Sequence, residues 1–159
     1  MTFKTMRLTT IHQLAFNDYE RAVYKARWRS LLRWLTRQCN DLLVFDQIRP
    51  CLVHRGQHAL GLKIVPLDQI VGSEGRARDF DRAFFPRQIH TKERWLSIAR
   101  AFYAQVPLPP VELVKVGDSY FVIDGHHRLS VARAHGQDFV DAHVTEIDLR
   151  NDTKALAEC

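Results

Sequence analysis

The chain has 159 residues, of which 46% are hydrophobic and 26% are charged, and its formal net charge is +5 at pH 7. These values are typical of a globular protein with one main domain. No stretch approaches about 18 uncharged apolar residues, and residues 1–13 lack the apolar centre of a signal peptide, so we expect neither a transmembrane helix nor a membrane partner. The cysteines Cys39, Cys51 and Cys159 have neither paired nor metal-type spacing, which indicates reduced thiols in a cytoplasmic protein.

The excess positive charge lies in the first quarter of the sequence. Residues 1–45 contain eight lysines and arginines against three acids, whereas residues 46–159 contain fifteen of each kind. A concentrated positive field attracts polyanions, and scattered charge does not. We therefore divide the chain into a helical extension over 1–45, a domain over 46–150 and a polar tail over 151–159.

The extension contains one long amphipathic helix. Residues 1–13 are predicted to be loop-like, and Asn17 and Asp18 are typical of a helix start, so the helix is expected to run from there to about residue 38. At about 100° per residue, one side gathers the apolar residues Val23, Tyr24, Trp28, Leu31, Trp34 and Leu35. The other side carries the basic residues Arg21, Lys25, Arg29, Arg33 and Arg37.

Three interpretations of this basic face stay open. It binds the phosphates of DNA or RNA, or it is a solvated face whose opposite apolar side packs on the domain, or it lies on a membrane surface. An uninterrupted row of basic residues favours the first interpretation, whereas charge runs in general favour the second.

The next part of the chain mixes weak and clear signals. Residues 46–62 have no clear assignment beyond a candidate short strand at 51–53, and His54 and His58 lack a third ligand, so no metal site is predicted. A strand over 63–65 is expected to end at Pro66, followed by a polar loop over 72–81. Thr91 is expected to cap a helix whose apolar stripe is Trp95, Ile98, Ala99 and Phe102.

Residues 111–147 give the clearest pattern of secondary structure. Two apolar runs, 111–116 and 119–123, flank Gly117-Asp118 and predict a β-hairpin. A short helix over 127–135 follows and is closed by Gly136. Strict alternation of apolar and polar residues over 139–147 predicts a half-buried strand.

The junction between this hairpin and its helix reads Val122-Ile-Asp-Gly-His-His-Arg-Leu129. A strand, a glycine turn and a helix start with cationic side chains form an anion site, because free backbone N–H groups and the helix dipole point at the ligand. Gly125 permits close approach of the backbone, and His127 and Arg128 supply donors to phosphate oxygens. The alternative is that these residues are merely an exposed helix start.

Two neighbours of these phosphate ligands are candidates for chemistry. His126 has the side chain of a general acid or base, and Asp124 is suited to cap the helix, orient a histidine or hold Mg²⁺ beside a phosphate. Arg76 and Arg78 in the preceding polar loop are candidates for further phosphate contacts, unless that loop is simply solvated. We therefore expect Asp124 and His126 as catalytic residues and the two arginines as helpers.

Four segments together resemble the ParB/sulfiredoxin superfamily: residues 65–70, 108–113, the 117–118 hairpin, and 123–128 with the following helix. The resemblance covers roughly residues 60–147 and implies an α+β fold, a small mixed sheet with flanking helices. In ParB proteins the corresponding motif is Gly-Glu-Arg-Arg, and in sulfiredoxin it is Gly-Cys-His-Arg, both on nucleotide phosphates. Gly125 and Arg128 match both motifs, and His127 matches the second.

This sequence departs from both relatives at His126, which stands where they have glutamate or the nucleophilic cysteine. A second ParB nucleotide motif and a helix-turn-helix domain are also missing, so we expect neither a partition clamp nor sulfinic-acid reduction. The leading hypothesis is a bacterial ParB-like domain that binds ATP or CTP, with or without Mg²⁺, and contacts nucleic acid through the basic helix.

Other members of the superfamily leave two enzymatic alternatives open. The same pocket serves a kinase of free serine, with Glu74, Asp79 or Asp81 as base, or a metal-dependent nuclease. The third hypothesis is a non-catalytic scaffold that keeps the fold without the chemistry. A homodimer is compatible with each of them.

Overall fold

The computed structural model describes residues 2–37, 39–51 and 54–149, and it begins with a single long helix, α1 (Thr2–Leu35). The predicted helix start at Asn17 and Asp18 is therefore wrong. Both side chains are engaged on the helix surface, since Asn17 accepts a hydrogen bond from Gln13, and Asp18 accepts one from Tyr103. Polar residues that favour a helix start are tolerated inside a helix when other side chains satisfy them.

The face by which α1 packs on the body also differs from the expected one. The buried residues are Ala15, Tyr19, Ala22 and Ala26, whereas five of the six apolar residues predicted to face the domain are 46–74% exposed. Small side chains let the two helix axes approach closely, and the Tyr19 ring packs edge-on against Trp95 with centroids 5.5 Å apart. Of the predicted stripe, Val23 alone packs partly against this cluster.

The remaining elements form one mixed sheet and three further helices. In chain order they are β1 (Leu43–Val44), α2 (Phe45–Ile48), β2 (His54–Pro66), β3 (Ile70–Ser73), α3 (Lys92–Tyr103), β4 (Val111–Val116), β5 (Ser119–Asp124), α4 (His126–Ala134) and β6 (Phe139–Leu149). The strand order is β1-β3-β5-β4-β6-β2. Neighbouring strands are parallel except β5–β4 and β6–β2, so the predicted α+β fold with flanking helices is confirmed.

The hairpin and the alternating strand predicted near the end of the chain are confirmed as β4–β5 and β6. The predicted motif helix is α4, which begins one residue earlier. Thr91 stands at the start of α3 but makes no capping bond, because its hydroxyl donates to the Gln88 carbonyl. Part of the candidate strand at 51–53, and the tail at 151–159, lie outside the described residues.

The unassigned stretch 46–62 proves to contain most of the long edge strand β2. This strand pairs only with β6 in the described sheet, and its register shifts near Gly56 and again near Gly61. Such shifts break the regular period of two that sequence analysis uses to recognise a strand. None of the described helices is long and apolar enough to cross a bilayer.

Three of the described helices, α1, α3 and α4, are stacked on one face of the sheet. α4 packs on β4, α3 on α4, and α1 on α3. The largest apolar cluster lies between α4 and the sheet and includes Leu113, Val122 and Leu129. A smaller cluster around Phe45 and Phe121 covers part of the opposite face. This stacking fixes the start of α4 beside the start of α3 and beside the loop that follows β3.

Candidate functional site

The site begins at the tight turn between β5 and α4. Gly125 has φ 98°, the left-handed region, and stands at the cap position of α4. A Cβ added there would lie 2.6 Å from Val111 Cγ1 and 3.1 Å from Arg128 Nε. No other residue type fits this position without displacing β4, which explains why a glycine precedes the two histidines.

A cavity of about 250 Å³ opens in front of this turn. Six of the seven residues predicted for the site line it: Arg76, Asp124, Gly125, His126, His127 and Arg128. Arg78 is exposed and is not part of the lining, so of the two loop arginines the structure brings only Arg76 to the motif. The lining also contains Glu74, Ile98 and Arg94.

Arg94 is the residue that sequence reasoning missed. It lies in the first turn of α3, and within the described residues it makes no hydrogen bond or ion pair. No local motif marks it, since its position depends on the packing of α3 against α4. The apolar stripe predicted on α3 is the face by which this helix packs. That packing brings the adjacent first-turn arginine, Arg94, to the cavity.

His126 is a buried, neutral side chain. It is 5% exposed, its Nε2 lies 2.6 Å from Ser73 Oγ, and its ring stacks on Phe80. Burial, with a smaller contribution from the Arg76 charge, lowers its pKa to about 4. Ser73 is itself fully buried at the end of β3. The pair therefore ties the β3 end to the α4 start through one ring nitrogen of His126.

His127 differs from its neighbour in having an unsatisfied atom. Its side chain is 6% exposed, and within the described residues its buried Nδ1 has no hydrogen-bond partner. Burial lowers its pKa to about 4, and the nearby Arg76 and Arg94 charges act in the same direction. A buried polar atom without a partner costs stability, so such an atom beside a cationic cavity indicates a place for an acceptor.

Arg128 is held by the protein itself. Its guanidinium donates to the Pro109 and Pro110 carbonyls, both at 2.7 Å, and to Asp124 Oδ2 at 2.5 Å. These bonds clamp the segment before β4 against the start of α4 and leave part of the guanidinium fork at the cavity. Asp124 is paired with this cation and remains 60% exposed.

The other acids proposed from the sequence have separate positions. Glu74 lines the cavity and pairs with Arg49 at 3.7 Å. Asp79 contacts Arg76 at 3.9 Å, at the limit for an ion pair. Asp81 is fully buried beneath Arg29 of α1 and accepts hydrogen bonds from two backbone N–H groups. Burial raises the pKa of Asp81, and the nearby arginine opposes that shift.

The predicted basic face of α1 is divided between the body and solvent. Arg29 lies 3.3 Å from the buried Asp81, and Arg33 donates to the Cys39 carbonyl at 2.6 Å. Arg21, Lys25 and Arg37 are exposed, with Arg21 3.6 Å from Asp18 and Lys25 over the Phe85 ring. Two of the five basic residues are therefore engaged with the protein, and three remain accessible.

Potential metal ligands are dispersed in the described residues, where no three of His, Cys, Asp and Glu form a cluster. His58 contacts Glu146 and Asp148 across the β2–β6 pair, as a cross-strand ion pair does. What the cavity offers chemically is positive charge: two arginines with weak or no protein partners, backbone N–H groups at the start of α4, and one unsatisfied histidine. This set is chemically suited to an anion.

No protein-family model and no curated protein sequence matches the chain. Among solved structures, the chain is similar to sulfiredoxin from Arabidopsis thaliana, with a TM-score of 0.40 and 13% sequence identity. The similarity covers 52% of this chain and 82% of that one.

Proposed function

We propose that this protein binds a nucleotide, ATP or CTP, through its phosphates in the cavity at the start of α4. The observation that carries this proposal is the convergence of Arg76 and Arg94, from two separate elements, on the first turn of α4. Backbone N–H groups and the helix dipole favour an anion at the same point. His127 adds an unsatisfied buried nitrogen beside it.

The balance of charge around the cavity supports an anionic ligand. Arg128 is neutralised by Asp124, and Glu74 is paired with Arg49. Arg94 has no acid beside it within the described residues, and the Arg76–Asp79 contact is long. Two cations therefore lack a close counter-charge, and a phosphate group supplies one with charge-assisted hydrogen bonds.

The size of the cavity supports a phosphate chain rather than a whole enclosed nucleotide. A volume of about 250 Å³ is at the low end for small-molecule sites, so the nucleoside would extend beyond the opening. The sequence motif, which resembles nucleotide-phosphate motifs at Gly125, His127 and Arg128, supports the nucleotide class. Mg²⁺ would then arrive bound to the phosphates, consistent with dispersed acids.

The proposal is for binding, without turnover. Both residues predicted to be catalytic are engaged: His126 with Ser73, and Asp124 with Arg128. A general base must reach its proton in the correct protonation state. His126 is neutral at pH 7 but its bonded nitrogen is turned to a buried hydroxyl. A nuclease that used these two side chains would require the contacts to break.

Isothermal titration with pyrophosphate, ATP and CTP, with and without Mg²⁺, tests the proposal. Arg94→Gln and Arg76→Gln should each weaken binding by about 10-fold or more, because each removes a charge-assisted contact. Arg78→Gln, from the same loop but outside the cavity, is the matched control and should change the affinity less than about twofold. Absence of binding by the wild type to all three ligands would refute the proposal, as would equal loss in the control.

We propose nucleic-acid contact through α1 as a separate property. It is supported by the concentration of positive charge in residues 1–45 and by the exposure of Arg21, Lys25 and Arg37. Phosphate contacts of this kind give affinity that falls steeply with salt. Binding to DNA or RNA that does not change with salt concentration would count against it.

A further inference from the structure

The side of α1 that faces away from the body is apolar. Its outer face consists of Tyr24, Trp28, Leu31, Leu32, Trp34 and Leu35, which are 61%, 47%, 46%, 56%, 74% and 63% exposed. Single exposed apolar residues are common, but six on three turns of one helix form a continuous patch. We propose that this outer face is the dimerisation surface of the protein, covered by the same face of a second copy.

The body of the protein cannot cover this outer face. α1 is already fixed by its opposite side, where Ala15, Tyr19, Ala22 and Ala26 pack on α3. The Arg29–Asp81 pair holds the helix in the same orientation. Rotating the outer face inward would expose that buried cluster and leave the buried Asp81 carboxylate without this cation, and both changes are destabilising.

The spacing of the apolar residues along α1 also favours pairing with a second copy. Tyr24, Trp28, Leu31 and Leu35 follow one another at intervals of four, three and four, the pattern of a coiled-coil seam. No charged residue occupies a seam position, Leu32 and Trp34 flank the seam, and the one exposed cation on this side of the helix within residues 24–35 is Arg27, at its border. A seam of this kind is complementary to itself, because a twofold axis brings the same patch of both copies together.

The exposed area of the outer face is large enough for a stable interface. With the exposed fractions given above and full exposures of about 150–250 Å² for large side chains, the outer face presents roughly 700 Å². The largest apolar patch on a typical monomer is about 300–600 Å². Two copies covering each other would bury roughly 1,400 Å², which lies within the range of about 1,200–2,000 Å² for stable protein interfaces. Tyr24 and Trp28 are also packed edge-on against each other, so part of the face is already ordered.

Sedimentation velocity of the full chain at increasing micromolar concentrations tests the inference. The wild type should sediment as a dimer, and the double variant Trp28→Glu/Leu31→Glu should raise the dimer dissociation constant by about 100-fold or more. Ile89→Glu is the matched control, because Ile89 is 82% exposed but lies outside α1. It should leave the dimer unchanged.

Further measurements keep the result unambiguous. Far-UV circular dichroism of the double variant checks that α1 still forms, and Trp34→Glu, at the most exposed position of the face, should weaken the dimer by about 10-fold. A monomeric wild type, or a double variant that stays dimeric, overturns the inference. A wild type that is monomeric in buffer but binds vesicles of phosphatidylcholine and phosphatidylserine also overturns it, because the face then serves a membrane. Pyrophosphate affinity should be equal in all variants, so this test is independent of the proposed function.

Discussion

The two histidines at the start of α4 make the stability of the protein depend on pH. Each is almost fully buried, and each has a pKa of about 4, against about 6.5 in an unfolded chain. Between these values the unfolded state binds more protons than the folded state, so stability falls as the pH falls. Between about pH 7.5 and pH 5, each histidine should cost about 2 kcal/mol, and the pair about 4 kcal/mol.

Urea unfolding followed by tryptophan fluorescence measures this loss. Trp95 is a suitable probe because it is fully buried and its Nε1 donates to Ser130 of α4. The melting temperature should fall by about 12 °C over the same interval. His126→Gln and His127→Gln should each remove about half of the pH dependence, since glutamine does not titrate.

Comparison with variants isolates the two histidines from other titrating groups. Burial raises the pKa of Asp81 and lowers that of His135, but both groups are common to the wild type and the variants. His143→Gln, at an exposed position on β6, is the control and should keep the full pH dependence. The reasoning fails if the wild type is equally stable at both pH values. It also fails if each histidine variant loses as much stability as the wild type when the pH is lowered.

Three further predictions concern the turn, the α1 contact and the basic residues. Gly125→Ala should cost about 3 kcal/mol or more in thermal or urea unfolding, because positive φ combines with a clash against β4; Gly75→Ala, with φ 75° in open space, should cost only about 1 kcal/mol, and equal losses would contradict the packing argument. Arg29→Met should cost about 1 kcal/mol at pH 7.5 and less in acid, because protonated Asp81 needs no counter-charge; a loss independent of pH would show that the charge is not responsible. Replacing three exposed basic residues by glutamate, namely Arg21, Lys25 and Arg37, should lower the salt slope of DNA or RNA binding by about 3. Lys63→Glu on β2 is the control and should leave the slope unchanged. An unchanged slope in the triple variant would exclude these three residues from the contact.

The sequence predicted those parts of the fold that depend on neighbours along the chain. The β4–β5 hairpin, the α4 helix and the alternation in β6 each follow from fewer than about fifteen consecutive residues. Arg76 was a candidate for the motif from the sequence, and the structure brings the two together because the loop and the motif follow adjacent parallel strands, β3 and β5.

Long-range packing decided what the sequence did not predict. Hydrophobicity alone assigned the large apolar side of α1 to the body, but the surface of α3 accepts the narrow alanine face instead. Arg94 joined the cavity only because α3 crosses α4 at its start. Arg76 and Arg78 are both exposed, but only Arg76 lines the cavity, and this difference depends on the path of the loop on either side of the buried Ala77.

The long edge strand β2 is protected against the addition of further strands. An unprotected border of this length would be a template on which strands of other molecules could add one after another. The irregularities near Gly56 and Gly61 divide it into short runs with different local twist, and Pro66 closes its far end without an N–H donor. The chain thus carries a built-in barrier to open-ended fibre growth along this strand.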